Sequence, residues 1–151
     1  MRFLVQRVKN SSVSVDNNVI GKIDFGYLVL LGACNSDTKE IADKMVQKLI
    51  NLRIFMDNEG KTNLSIKDVG GQILLVSQFT LYANCRKGNR PSFFNSGDPQ
   101  HANELYEYVI DLIRNTYNIP CETGSFGADM EVSLINDGPF TVMLDSDELF
   151  G

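Results

Sequence analysis

Two short polar motifs, each directly after an apolar segment, carry the groups in this chain that could do chemistry. The first comprises Ser77, Gln78, Phe79 and Thr80 and follows the apolar residues 73–76. A strand that ends in this way leaves hydroxyls, a side-chain amide and free backbone N–H groups at the edge of a sheet. Such N–H groups can stabilise the oxyanion that forms when an ester is hydrolysed, and the amides of Phe79 and Thr80 are the candidates.

The second motif comprises Asn136, Asp137, Gly138 and Pro139, after a run of alternating residues that ends at Ile135. An Asp-Gly-Pro sequence is typical of a backbone turn, and X-Pro bonds are the ones that populate the cis form readily. Because only about 5% of X-Pro bonds are cis, the residues alone favour an ordinary trans hairpin turn. The motif thus predicts a corner between two strands.

The residue types usual in hydrolytic sites are scarce. His101 is the only histidine, and its place near the start of a predicted helix favours a surface or capping role, so a Ser-His-Asp triad lacks its base. The three cysteines form no CxxC pair and are expected to be reduced thiols; they are Cys34, Cys85 and Cys121. We expect neither a metal nor a cofactor. The acidic residues near the end of the chain, expected to be solvated, are Asp145, Asp147 and Glu148.

Length and composition predict one globular domain over residues 1–151. A chain of this length buries about 70% of its unfolded surface, and a hydrophobic content of 43% is ordinary for a globular protein. No apolar run approaches the roughly 20 residues of a membrane span, and the apolar stretch after Met1 is too short for a signal peptide. We therefore expect a cytoplasmic protein with no membrane partner.

The net charge of −5 is unevenly distributed. Residues 1–75 carry 10 Lys or Arg and 8 Asp or Glu, whereas residues 76–151 carry 4 and 11. Three of the four cations of the second half, Arg86, Lys87 and Arg90, lie in one predicted loop. Such a cluster could bind phosphates locally although the protein is acidic overall, and a solvated loop is an equal alternative.

Apolar periodicity predicts more strands than helices. The predicted strands are residues 2–9, 13–16, 19–24, 27–33, 53–56, 72–79, 128–135 and 140–144. Two helices are predicted, one starting with Asp37 as N-cap and Glu40 as its N3 partner and ending near Leu52, and one starting at Asp98-Pro99 and ending near Tyr117. Residues 83–97 form a long polar loop. This order indicates an α+β fold in which a largely antiparallel sheet is layered with two helices.

Both motifs, with further blocks in the same order along the chain, resemble the D-aminoacyl-tRNA deacylase family. These blocks are Gln6-Arg7-Val8, Leu52-Arg53-Ile54-Phe55, Gly60-Lys61-x-Asn63-Leu64, Arg90-Pro91-Ser92-Phe93 and Gly124-x-Phe126-x-Ala128-x-Met130. The resemblance spans nearly the whole chain. It implies a homodimer whose sheets meet across the interface and an enzyme that cleaves D-amino acids from the 3′ end of tRNA. If L-amino acids are rejected by excluding their side chain, glycine should be cleaved as well. DNA is not an expected partner.

The resemblance also implies residue roles. Ser77 to Thr80 form the catalytic segment, and Gly138-Pro139 is a cis corner whose carbonyls reach into the partner's site to reject L-amino acids. Arg7 and Asn136 support that corner, and Phe126 and Met130 line the pocket for the terminal adenosine or the aminoacyl group.

Three functional classes remain open from the sequence. The first is the editing hydrolase that the resemblance implies. The second is a tRNA- or DNA-binding dimer that has lost catalysis, against which the complete motifs argue. The third is a general serine or threonine esterase, which the missing base disfavours. From the residues alone, the hydroxyls of Ser77 and Thr80 could also do no more than satisfy hydrogen bonds at the end of a strand.

Overall fold

The computed structural model describes residues 1–151, and its elements fall into one large sheet, one small sheet and four α-helices. The strands are β1 (Arg2–Val15), β2 (Asn18–Ile23), β3 (Gly26–Gly32), β4 (Phe55–Met56), β5 (Thr62–Leu64), β6 (Gln72–Ser77), β7 (Cys121–Thr123) and β8 (Glu131–Asp145). The helices are α1 (Lys39–Asn51), α2 (Ile66–Val69), α3 (Pro99–Asp111) and α4 (Ser146–Phe150), with a 3-10 turn at Phe79–Tyr82 and a π-helical turn at Leu112–Thr116.

The large sheet has an antiparallel half and a parallel half. The long strand β1 pairs antiparallel with β8 along one side and with β3 and then β2 along the other. The central strand β3 then pairs parallel with β6, and β6 pairs parallel with β7. Six of the seven residues of β3 are buried, which explains its unbroken apolar sequence. The predicted α+β class, with a mostly antiparallel sheet, is confirmed.

The two long helices cover one face of the sheet and enclose the main core. Helix α1 buries Ala42, Met45, Val46, Leu49 and Ile50, a spacing that places apolar side chains on a single stripe. Helix α3 buries a similar stripe, and α1 packs against α3 as well as the sheet. None of the helices is long and apolar enough to cross a membrane. The prediction missed the short helices α2 and α4, although the Ser65–Asp68 capping box is a readable signal for α2.

The corner at residues 136–139 is a bulge within one strand, not a hairpin turn between two. Val8 of β1 pairs with Asn136 and Gln6 pairs with Thr141, so the residues between Asn136 and Thr141 lie opposite Arg7 alone. The predicted separate strands 128–135 and 140–144 are therefore one strand, β8, which starts only at Glu131. Strand β1 is also one strand to Val15, where the prediction had two. Because this long strand pairs with both halves of β8, it keeps them in one continuous strand.

The N-cap of α1 is Thr38 and not the predicted Asp37. The Thr38 side chain accepts a hydrogen bond from the backbone N–H of Ile41. Asp37 is buried and binds the α-amino group of Met1 at 2.6 Å and the backbone N–H of Cys34 at 2.8 Å. A buried carboxylate needs a cation and hydrogen-bond donors more than it needs a helix end, and distant parts of the chain supply both.

Asp145 is also buried, contrary to the prediction of a solvated acidic tail. Its side chain accepts hydrogen bonds from Arg2 Nε at 2.7 Å and from the backbone N–H of Asp147 at 2.9 Å. Burial alone raises the pKa of Asp145, but these hydrogen bonds outweigh burial, so the pKa lies below its ordinary value. The ion pair joins the first strand of the sheet to the end of the last.

We predict that Asp145 makes the stability of the protein sensitive to acid. Because its pKa is lower in the folded chain, the carboxylate stabilises the fold above the unfolded pKa of about 4 and loses that contribution as the pH falls through the folded value. Asp145→Asn keeps the cap of α4 but removes the charge. The difference in urea midpoint between wild type and Asp145→Asn should be largest near pH 7 and should shrink below about pH 4. A difference that stays constant across this range would contradict the assignment.

A candidate active site at the ends of three parallel strands

A cleft of about 590 Å³ lies at the carboxyl ends of the three parallel strands. Leu31 and Ala33 line it at the end of β3, Val76 and Ser77 at the end of β6, and the loop after β7 forms its far wall. Ligand sites in sheets with parallel strands occur at this edge, because the strands stop there and the chain turns away. Ser77, Gln78, Phe79, Phe126 and Met130, which the sequence analysis singled out, all line the cleft.

The segment of residues 77–80 ends in a 3-10 turn whose first two amides have no acceptor within the turn. Strand β6 ends at Ser77, two residues before the predicted end at Phe79, because the chain enters the 3-10 turn after the backbone N–H of Gln78 has donated to the Leu31 carbonyl. Phe79 and Thr80 are the first residues of that turn, and no side chain caps it. The first N–H groups of a helical turn have no partner within it. They are available to an oxyanion.

The hydroxyl of Thr80 is already engaged. It accepts a hydrogen bond from the side-chain amide of Gln78, and Thr80 is not among the residues that line the cleft. Gln78 lines the cleft and is half-buried, so the bond fixes the glutamine side chain at the wall. No side chain in hydrogen-bond contact with Thr80 could act as a general base. This arrangement favours a positioning role for Thr80 over that of a nucleophile.

The far wall of the cleft is built by the loop that joins β7 to β8. The backbone N–H of Ser125 contacts Met130 Sδ at 3.4 Å, and a Cβ at Gly124 would lie only 2.6 Å from that sulfur. A side chain at position 124 would therefore push the Met130 thioether from its place in the cleft wall. The ring of Phe126 packs at 6.0 Å from the ring of Tyr106, whose hydroxyl donates to the Leu75 carbonyl. These contacts explain the Gly124-x-Phe126-x-x-x-Met130 spacing, because each of the three residues has a defined place in the cleft wall.

The remaining wall comes from residues to which the sequence analysis gave no role. Phe93, Ser96 and Gly97 at the end of the long loop and Pro99 and Ala102 of α3 all border the cleft. The ring of Phe93 meets that of Phe79 edge to face at 5.1 Å, and Ser96 Oγ donates to the Phe79 carbonyl at 3.0 Å. The available signal was the loop itself, since long polar loops in compact domains are often functional.

The corner lies away from the cleft of its own chain. Neither Gly138 nor Pro139 is among the cleft-lining residues; both are exposed, and the peptide bond between them is cis. The buried Arg7 fixes the base of the corner: its Nε donates to the Asp137 carbonyl at 3.2 Å and its Nη1 donates to the Ile54 carbonyl. Asn136 Nδ2 donates to the carbonyls of Arg7 at 3.0 Å and Phe140 at 3.2 Å. The structure thus brings Arg7 and Asn136 to the corner, as expected.

The other candidate groups do not line the cleft. Arg86, Lys87 and Arg90 are exposed in the long loop and form no ion pair with a carboxylate. His101 Nε2 contacts the Asp37 carbonyl at 3.0 Å, which is a structural role near the start of α3. Burial raises the pKa of Cys121 to about 12, so this thiol is chemically inert at neutral pH. No group of three or more His, Cys, Asp or Glu side chains could hold a metal ion.

Comparisons with known proteins agree with one another along the whole chain. A sequence profile of the family described as D-Tyr-tRNA(Tyr) deacylase matches residues 4–145. The D-aminoacyl-tRNA deacylase of Thermosipho melanesiensis is 55% identical over 99% of this chain and 100% of its own, and that of Fervidobacterium nodosum is 50% identical over the same shares.

Solved structures agree in fold. The structure described as the c-Myc DNA Unwinding Element Binding Protein superposes with a TM-score of 0.91 at 40% identity, covering 96% of this chain and 98% of its own. A probable eukaryotic D-amino acid tRNA deacylase superposes with a TM-score of 0.82 at 19% identity, covering 95% of this chain and 97% of its own, which shows the shared fold alone. From the profile match and the near-complete alignment with its relatives, this chain belongs to the D-Tyr-tRNA(Tyr) deacylase family.

Proposed function

We propose that this protein hydrolyses the ester bond of D-aminoacyl-tRNA to a free D-amino acid and tRNA. The observation that carries the proposal is the pair of Phe79 and Thr80 amides at the start of an uncapped 3-10 turn, beside a cleft with an apolar wall. The relatives named D-aminoacyl-tRNA deacylase, aligned over 99% of this chain, support the substrate class. A tRNA substrate also favours a cytoplasmic location.

In the proposed mechanism, water adds to the ester carbonyl and the developing oxyanion accepts hydrogen bonds from the Phe79 and Thr80 amides. The bond between the carbonyl carbon and the ribose oxygen then breaks, the ribose oxygen takes up a proton, and the amino acid leaves as its carboxylate. The Ser77 hydroxyl binds the substrate or orients the water. Because an aminoacyl ester is already labile, positioning and oxyanion stabilisation suffice without a dedicated base. A neighbouring ribose hydroxyl of the tRNA can assist the proton transfer.

Selection of the D-enantiomer is proposed to come from the corner of a partner subunit. D- and L-esters have the same functional groups, so only the direction of the side chain distinguishes them. A rigid corner that leaves room for hydrogen alone would reject L-substrates and accept glycyl-tRNA. Three observations support an arrangement in trans: the corner is exposed, it is remote from its own cleft, and β8 is an edge strand with Ile135 and Met143 exposed. Such an edge can pair with a second copy of the chain.

The long loop is proposed to bind tRNA phosphates. Arg86, Lys87 and Arg90 are exposed and unpaired, and their loop continues into Phe93 and Ser96 at the cleft. Because the protein is acidic overall, its attraction for tRNA is weak, which suits an enzyme that must release correctly charged tRNA.

Thr80→Ala is predicted to retain measurable activity. The Thr80 hydroxyl holds Gln78 but lies outside the cleft, so its removal should loosen the wall while both backbone amides remain. We expect a loss of about tenfold, near the lower limit for groups that act by positioning. Single-turnover deacylation of D-tyrosyl-tRNA measures this effect, and an acyl-enzyme trapped on Thr80 of the wild type would contradict the assignment.

One assay separates the proposed function from its two alternatives. Purified protein is incubated with D-tyrosyl-tRNA and, separately, with p-nitrophenyl acetate, and the binding of uncharged tRNA is measured in parallel. The editing hydrolase predicts rapid release of D-tyrosine and negligible turnover of the simple ester. Rapid turnover of both esters would indicate a general esterase. Binding of tRNA without hydrolysis would indicate a nucleic-acid-binding protein that has lost catalysis.

A further inference from the structure

Phe94 is the most exposed large apolar residue of the chain, with 92% of its surface accessible to solvent. It lies in the long loop directly after Phe93, whose ring packs against Phe79 at the mouth of the cleft. Full exposure of one phenylalanine contributes nothing to the core. Its neighbour, in contrast, is part of the cleft wall. Phe94 therefore directly follows a residue of the cleft wall, and its own ring is exposed to solvent.

The loop holds Phe94 in a defined place. The backbones of Asn84 and Ser92 exchange two hydrogen bonds, of 2.7 and 2.9 Å, which close the loop at its base. On the other side of Phe94, Ser96 Oγ donates to the Phe79 carbonyl and the Gly97 N–H donates to the Ala33 carbonyl at 2.8 Å. The segment that carries Phe94 is thus held by the loop's own backbone pairing on one side and tied to cleft residues on the other.

The charge around Phe94 selects the kind of partner. Arg86, Lys87 and Arg90 precede it in the same loop, all exposed and without a carboxylate partner. Cations along a backbone path combined with a free aromatic face are typical of surfaces that bind single-stranded nucleic acid, because a base can stack on the ring while the cations meet the phosphates. The same combination occurs on surfaces that bind anionic lipids, and the tRNA substrate of the proposed function favours nucleic acid as the partner.

We infer that Phe94 is a stacking platform for an unpaired base of the tRNA 3′ end, the base that precedes the terminal adenosine. The inference rests on the proposed function, in which that adenosine lies in the cleft. Stacking tolerates different bases, because every base has a π-face. The platform would therefore increase affinity for any tRNA and would leave the choice of amino acid to the cleft.

The test compares two probes that differ only in the presence of that base. Binding of the single-stranded oligonucleotide ACCA, and of the same oligonucleotide with an abasic residue before the terminal adenosine, is measured by competition for wild type, Phe94→Ala and Phe94→Tyr. The loss of one base stack should weaken ACCA binding to Phe94→Ala roughly 5- to 100-fold, and Phe94→Tyr should restore it. Binding of the abasic oligonucleotide should be the same for all three proteins. Phe25→Ala, which removes an exposed phenylalanine just before β3 and so at the sheet edge opposite the cleft, is the control and should bind as wild type.

Catalysis provides a second readout. For hydrolysis, KM for D-tyrosyl-tRNA should rise by the same factor in Phe94→Ala at constant kcat, whereas the D-tyrosyl ester of adenosine should react as with wild type. Equal weakening of both probes, unchanged ACCA binding, or a change of oligomeric state in sedimentation that accounts for the loss would overturn the inference. Failure of the wild type to hydrolyse either ester would instead refute the proposed function, and the oligonucleotide comparison would still decide the role of Phe94.

Discussion

Gly138→Ala is expected to lower the rate of D-aminoacyl-tRNA hydrolysis about 100-fold while the free energy of unfolding of the protein stays nearly unchanged. A Cβ built on Gly138 meets no atom of its own chain closer than Asn136 Oδ1, at 3.6 Å, which is ordinary van der Waals contact. The folded chain therefore accommodates the methyl group. If the corner fits closely into the partner's cleft, the same methyl occupies space that the substrate needs.

The measurement combines urea unfolding, sedimentation and single-turnover deacylation of the same preparation. Val19→Ala, a truncation at another exposed position that lies far from both motifs in sequence, is the control and should match wild type in all three. Unchanged activity of Gly138→Ala with an intact dimer would show that the corner does not approach the substrate. Lost activity together with a lower unfolding free energy would show that the effect comes from the fold.

Phe79→Pro is expected to lower kcat about 100- to 1,000-fold, whereas Phe79→Ala should cost far less, because only the proline lacks a backbone N–H. Proline is suited to the first residue of a helical turn, which is the position of Phe79, and Gln78 before it lies outside the helical region, with φ −149° and ψ 83°. Both variants remove the ring, which is 57% exposed, so their difference isolates the amide.

Single-turnover rates of the two variants on D-tyrosyl-tRNA, compared with their circular dichroism, provide the measurement. Equal rates for Phe79→Pro and Phe79→Ala would refute the oxyanion role of this amide. If both variants retain the native spectrum, a difference in rate cannot be assigned to unfolding.

The two variants together also test whether the site is shared between subunits. Mixing Phe79→Pro with Gly138→Ala under conditions that exchange subunits should restore about a quarter of wild-type activity, because half of the dimers are then mixed and one of their two sites is intact. If the corner served the cleft of its own chain, each chain would carry one defect and the mixture would stay inactive.

The candidate site residues came from two sources. The hydroxyls and amides at the end of the strand before Ser77-Gln78 could be read from the residues, whereas the pocket roles of Phe126 and Met130 came from the family resemblance. The structure brings both groups of residues to one cleft. The prediction stopped short of Phe93 and Ser96, whose contribution depends on where a long loop returns. Local sequence does not encode that return.

The elements that differ from prediction differ because of long-range contacts. Asn136 to Pro139 has the composition of a hairpin turn, but pairing with one continuous partner strand, β1, overrides that local preference and makes it a bulge. Asp37 is of a residue type favoured at helix N-caps, but its carboxylate binds the amino group of Met1 instead. Asp145 lies in an acidic tail, but Arg2 pairs with it from the other end of the chain. In each case the deciding partner is distant in sequence.

Initial rates on D-tyrosyl-, L-tyrosyl- and glycyl-tRNA at one enzyme concentration decide whether D-substrates are selected by steric exclusion. Steric exclusion predicts rapid hydrolysis of the D-tyrosyl and glycyl esters. It predicts L-tyrosyl-tRNA cleavage roughly 10,000-fold slower, which corresponds to about 5.5 kcal/mol of discrimination. Glycine has no side chain to exclude, so its ester must react if exclusion is the mechanism. Equal rates on the D- and L-esters would contradict steric exclusion, and so would glycyl-tRNA that stays intact while D-tyrosyl-tRNA is consumed.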